Sequence, residues 1–221
     1  MAPPGETIPA GPFSDWLRSM RAALAGSTGM DVACGNCRGC CTSSYFIKVR
    51  AHEKAALEQI GADNLRPAPG DGDGSMLMGY DTRGHCLMFA NGVCSIYSHR
   101  PETCRTYDCR VFTAAGMNAG PDKSEINDRI ASWRFEYPSA RDLDEHRAVT
   151  AAANYIRQHV IRFPGGRVPS RPSEVAVLAV KTYEVFLDPP PSDAEIAAAI
   201  IATSRDFDRQ AHRQEKAECM D

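Results

Sequence analysis

Little in this chain would direct it to a membrane or a nucleic acid. Met1 to Phe13 holds several Pro and Gly but no cationic stretch followed by an apolar one, so no secretory signal is expected. The longest clean apolar run, Ile196 to Ala202, is far too short to cross a bilayer. Net charge is only −3, which leaves no electrostatic footprint for nucleic acid or anionic lipid. The common catalytic signatures are missing as well. No Gly-rich phosphate loop precedes a helix, and Gly70-Asp71-Gly72-Asp73-Gly74 would repel phosphate. That acidic run also lacks the spacing and terminal Glu of an EF-hand. There is no G-x-S-x-G elbow, no H-E-x-x-H pair and no strand–glycine–helix unit suited to S-adenosylmethionine. Repeats and coiled-coil heptads are absent. These exclusions leave a cytoplasmic globular protein, with 43% apolar residues to build a core.

Cysteine is what the chain has in excess. Eight of its nine cysteines fall between residues 34 and 109, and Cys219 stands apart in a charged tail, where it reads as incidental. In a reducing cytosol clustered thiols point to metal binding or redox chemistry rather than disulfides. The first group is Cys34-Gly35-Asn36-Cys37-Arg38-Gly39-Cys40-Cys41. Two residues between thiolates let a tight loop aim both sulfurs at one ion, and Gly35 and Gly39 ease the backbone angles of such a loop. Cys34, Cys37 and Cys40 match the run that holds three corners of a [4Fe-4S] cluster, and the fourth ligand must come from afar. Cys41, adjacent to Cys40 and followed by no proline, is expected to point away from it. The remote ligands are Cys86, Cys94, Cys104 and Cys109, and eight thiolates divided into two Cys₄ tetrahedra would suit zinc instead. Arg38, Arg100, Arg105 and Arg110 lie beside these cysteines and could offset the thiolate charge. His85 and His99 are borderline ligands. Asp108 and Glu102 are candidate acid–base groups with no evident partner.

The expected fold class is α+β, a small irregular metal-organised core with a β-hairpin, flanked by several helices. Residues 1–12 read as a disordered leader, 13–120 as the cysteine domain with an N-terminal helix, and 121–221 as a helical region packed on it. Phe13, Trp16, Leu17, Met20 and Leu24 recur at helical spacing, with Ser14 as N-cap and Gly26 as terminator. Strands are expected at Ser44 to Val49, Met76 to Tyr80, Cys86 to Phe89 and Val93 to Tyr97. Asn91-Gly92 makes the last two a hairpin. Helices are expected at Ala51 to Ile60, along Ile126, Ile130 and Trp133, from Leu143 to Val160, at Val175 to Leu187, and after the capping box Ser192-x-x-Glu195, with fraying beyond Arg209.

The cysteine segment resembles the YkgJ-type cysteine-cluster family, a bacterial group with a zinc- or iron-chelating CxxCxxCC domain. The resemblance rests on the first cysteine group, Gly84-His85-Cys86-Leu87-Met88-Phe89, Cys94-Ser95-Ile96-Tyr97, Arg100-Pro101-x-x-Cys104-Arg105 and Tyr107-Asp108-Cys109. Arg38 stands where the family favours Gly, and Asp108 where it often has Pro. The resemblance implies chelation of iron or zinc, so a metal ion or cluster is the expected partner. With the thiol spacing the expected centre is an iron–sulfur cluster, [4Fe-4S] in form, or alternatively zinc, in a metal-binding protein expected to have a structural and electron-transfer role. The family also includes flagellin lysine N-methylases, which implies a cluster-dependent protein-modifying enzyme as one alternative. A zinc-stapled interaction module with a protein partner is another.

Overall fold

The computed structural model describes residues 7–26, 29–30, 32, 37–69, 72–166, 168–188 and 192–218, with side chains to 211 in the last helix. The expectations for Cys34, Gly35, Asn36 and Cys219 fall outside these residues. In chain order the described residues form β1 (Ile8–Pro12), α1 (Phe13–Leu24), β2 (Ile47–Val49), α2 (Lys54–Ile60), β3 (Leu65–Pro67) and β4 (Met76–Met78). Then come β5 (Phe89–Ala90), β6 (Val93–Cys94), α3 (Glu102–Thr106), α4 (Arg110–Ala114), α5 (Ser124–Ser132) and β7 (Trp133–Glu136). The chain ends with α6 (Ala140–Gln158), α7 (Pro172–Thr182) and α8 (Asp193–Glu218). The class is α+β. No helix among the described residues is long and apolar enough to cross a membrane.

By contacts the chain divides into two compact units. The first gathers Gly29–Tyr107 and Pro121–Arg129. Its sheet has the order β2-β4-β3, antiparallel throughout, and each strand is three residues long. Its core is correspondingly small: Val49, Ala56, Ile60, Met78 and Ile96, with Cys86, Met88 and Cys94 packed at the margin. Asn91 and Gly92 both take positive φ, 52° and 77°, as a two-residue primed turn requires, and they join β5 to β6. The ladder is shorter than the alternation suggests. Phe89 pairs with Cys94, and Cys86 lies before the arm, bridged to Tyr80.

The second unit gathers Pro4–Thr28, Asp108–Gly120 and Ile130–Asp221. Phe13, Leu17, Phe112, Val149, Ile156, Val180 and Ile200 are almost wholly buried in it. Three expectations are corrected here. The last residues of the presumed leader form β1, which pairs in parallel with β7. Trp133 opens β7 instead of ending a helical face, because its neighbours alternate, Trp133 and Phe135 buried, Arg134 and Glu136 exposed. Ser14 does not cap α1: Pro12 holds that position, and the Ser14 backbone N–H donates to Asp142 Oδ1 at 2.9 Å. Asp142 also closes a capping box with Ser139 at the start of α6. The Ser192–Glu195 cap opens α8, which continues past Arg209 to Glu218.

Candidate metal centre

The described end of the first cysteine group holds a tight turn at Gly39–Cys41, with the Cys41 N–H donating to Arg38 O at 2.8 Å. Gly39 is buried at its centre, and a Cβ there would stand 2.9 Å from Ile126 Cγ1 and 3.1 Å from Ile126 N. Glycine is required by close approach to α5 rather than by a positive φ. The same segment is tied to the cysteine turn by Lys123 Nζ on Ser43 O at 2.7 Å and by the Thr42 hydroxyl on Glu125. Sequence reasoning missed this buttress, because nothing local in Ser124–Ser132 signals that its partner is a turn some eighty residues earlier.

Backbone hydrogen bonds bring the remote cysteines to this turn. The Cys86 N–H donates to Cys41 O at 2.8 Å, and the Ser44 N–H donates to Gly84 O at 2.9 Å. Arg38 Nε reaches Gly92 O at 2.8 Å and so fastens the hairpin turn. Cys104 rides on α3, which is anchored on the small sheet by Thr103 Oγ1 to Lys48 O at 2.7 Å and by Glu53, whose Oε1 accepts the Glu102 N–H at 2.6 Å.

Four thiols from four places in the sequence thereby share one electrostatic neighbourhood. Burial pushes the Cys104 thiol up to about 12, with the charges of Cys40, Cys86 and Cys94 adding to it. Cys86 is raised mainly by burial, and also by Cys94 and Cys40. Cys40 is raised most by the adjacent Cys41 thiol and then by desolvation. Cys40 keeps accessible surface on one side, while packed protein on the others removes the solvent that would support its thiolate. Arg100 acts in the opposite direction on both Cys40 and Cys104, so it is the arginine whose charge reaches the thiols. Its guanidinium lies 4.1 Å over the exposed Tyr97 ring. Arg105 instead bonds Arg100 O at 3.0 Å.

The remaining candidates make other contacts. Cys37 is half-buried, and its carbonyl accepts from Arg38. Cys109 belongs to the helical unit, buried, with the Trp133 indole N–H donating to its sulfur at 3.2 Å. Asp108, 2% exposed, is an ion-pair hub: Arg110 lies at 2.8 Å and the Trp16 Nε1–H donates to it at 2.8 Å. Glu102 pairs with Arg50. The His85 ring packs edge-on against Phe89, and His99 Nδ1 lies 3.0 Å from Ser98 Oγ. None of the seven described cysteines is in a disulfide.

Residues 33–129 match the CxxCxxCC family model, described as "Putative zinc- or iron-chelating domain". This segment is similar to the CxxCxxCC domain. The match runs past the last clustered cysteine to residue 129, taking in the Pro121–Arg129 stretch that packs in the same unit as the cysteine turn. No curated protein and no solved structure matches the chain. The segment's donor set fits a thiophilic cation by its chemistry: the Cys86 and Cys104 thiols, raised by desolvation and by neighbouring cysteines, are relieved when a cation replaces their protons. Among the described residues no three Cys, His, Asp or Glu side chains already stand in a closed ligand arrangement.

Proposed function

We propose that the segment similar to the CxxCxxCC domain binds its metal through Cys40, Cys86, Cys94 and Cys104, with Cys34, Cys37 and Cys41 of the first sequence motif completing the thiol supply, and that the centre is an iron–sulfur cluster of the [4Fe-4S] type. The observation that carries this reading is that Cys40, Cys86 and Cys94 all lie close enough to Cys104 for their charges to raise it, as Cys40 and Cys94 do for Cys86. Such a cluster supplies one-electron chemistry when bound. The chain's own residues do the rest: backbone hydrogen bonds position the sulfurs, Arg100 offsets negative charge, and the small apolar core limits water. Cys109 stands outside this set, its sulfur accepting from Trp133. Thiolate ligands must stay unoxidised, which supports a cytoplasmic location.

Zinc is the second reading, because four thiols from separate elements also make a tetrahedral Cys₄ site. The test is anaerobic purification, followed by a visible spectrum and by iron, zinc and acid-labile sulfide analysis on one sample. Coloured protein with matched iron and sulfide supports the cluster. Colourless protein with stoichiometric zinc and no sulfide replaces it with a structural zinc site. Protein that retains neither metal after anaerobic purification, and takes up neither on reconstitution, rejects both.

A further inference from the structure

The helical unit holds a cleft that metal binding does not use. Ser14, Arg18 and Arg21 of α1, Arg141 and Glu145 of α6, and Tyr183 line it, and its volume is about 130 Å³. That is below the range for drug-sized ligands and restricts the occupant to a small molecule. Glu145 is only 3% exposed. Its Oε1 accepts from Arg141 Nε at 2.8 Å, but its Oε2 has no donor. The buried Ser14 hydroxyl, lining the same cleft, also has no partner. Two unpaired polar atoms in one buried place are costly unless something supplies their hydrogen bonds.

The charges at the cleft select what that something is. Arg21 is committed, donating to Val180 O and Lys181 O at 3.0 and 3.1 Å and pairing with Glu184 at 3.3 Å. Arg18 and Arg141 are held only by one exposed pair with Asp15 and by the Glu145 contact, and their side chains are 71% and 73% exposed. A bare cation would meet these guanidinium groups on its way in. A bare anion would meet the open carboxylate oxygen inside. A ligand carrying both signs satisfies both ends. Burial, and the nearby Glu145 charge, keep the Tyr183 phenol protonated and neutral.

We propose that this cleft binds the zwitterion of a small α-amino acid, its ammonium group donating to Glu145 Oε2 and Ser14 Oγ and its carboxylate facing Arg18 and Arg141. The test is calorimetric titration of the full, metal-loaded chain with glycine and with L-alanine, alongside glycinamide, which lacks the carboxylate, and acetate, which lacks the amine. Saturable binding of the amino acids is expected, with both partial probes at least about tenfold weaker. Glu145→Gln keeps the shape of the side chain and should weaken glycine binding about tenfold or more. Because that substitution leaves the cysteines untouched, binding that survives it unchanged would come from chelation at the metal and would overturn the proposal. No binding of either amino acid up to ~10 mM would overturn it too, leaving an ordered water as the partner of Glu145. Equal affinity for glycine and glycinamide, or for glycine and acetate, would do the same. If Glu145→Gln fails to fold, the four-probe comparison on the unaltered chain decides alone.

Discussion

The cysteine unit and the helical unit reach a folded state by different means. In the first, strands of two or three residues surround a core led by Val49, Ile60 and Met78, and several of the surrounding side chains are themselves cysteines. In the second, Phe13, Phe112, Ile156 and Val180 are almost completely removed from water, and Phe13 stacks on His146 and meets Phe135 edge-on. A small core buries too little apolar surface to offset the entropy of ordering its loops, whereas interlocked helices bury enough. Metal binding is the natural source of the missing free energy on the cysteine side, because there binding and folding are one process.

The sharpest way to break this contrast is to take the metal away. Removal by chelator, or Cys104→Ser, should cost the cysteine unit a large part of a binding free energy on the order of 10 kcal/mol. Hydrogen exchange should then show Ile47–Val49 and Met76–Met78 losing protection while Ala140–Gln158 keeps it. Equal loss in both units would refute the contrast. The reciprocal substitution is Phe112→Ala, which removes a fully buried ring in α4 and should cost about 3–5 kcal/mol. Metal content per folded molecule should stay unchanged, and a parallel fall in metal would count against separate supports.

A finer probe is Gly39→Ala. Its new methyl must displace Ile126, whose backbone nitrogen is among the crowded atoms, so a loss of about 1–3 kcal/mol is expected. Ile126→Ala in the same background should recover part of it, as read from denaturation midpoints. The smallest effect concerns acid. Hydrogen bonds from the Ser139 side chain, and then from the Ser14 N–H, hold the Asp142 carboxyl at about 2, below its ordinary 3.8. A depressed carboxyl stabilises the folded state fully above the ordinary value, and that contribution disappears as pH falls from about 3.8 through about 2. Asp142→Asn should flatten the stability profile of the helical unit in that window, and an unchanged slope there would remove Asp142 from the account.

Several features were legible without coordinates because their causes are local. The Asn91-Gly92 hairpin follows from the positive φ that both residues tolerate. α1, α2 and α7 follow from apolar spacing and from terminators such as Gly26 and Gly61. Other features were not, since their partners are distant. β1 exists only because β7 lies beside it in parallel, and parallel pairing leaves no turn signal between its strands. The role of Asp108 was equally hidden, because its partner Trp16 lies on α1, far away in sequence.

The sequence by itself determined the chemistry on offer: thiol spacing, the absence of membrane and phosphate signals, and the helical periods are all properties of neighbouring residues. Only the tertiary structure decided which thiols lie close enough for one to act on another's charge. Cys40, Cys86, Cys94 and Cys104 share a neighbourhood because backbone bonds such as Cys86 N–H to Cys41 O close long loops, while Cys109 is drawn instead to Trp133. Loop closure depends on the free energy of the whole packed arrangement, and no local spacing in the chain encodes it.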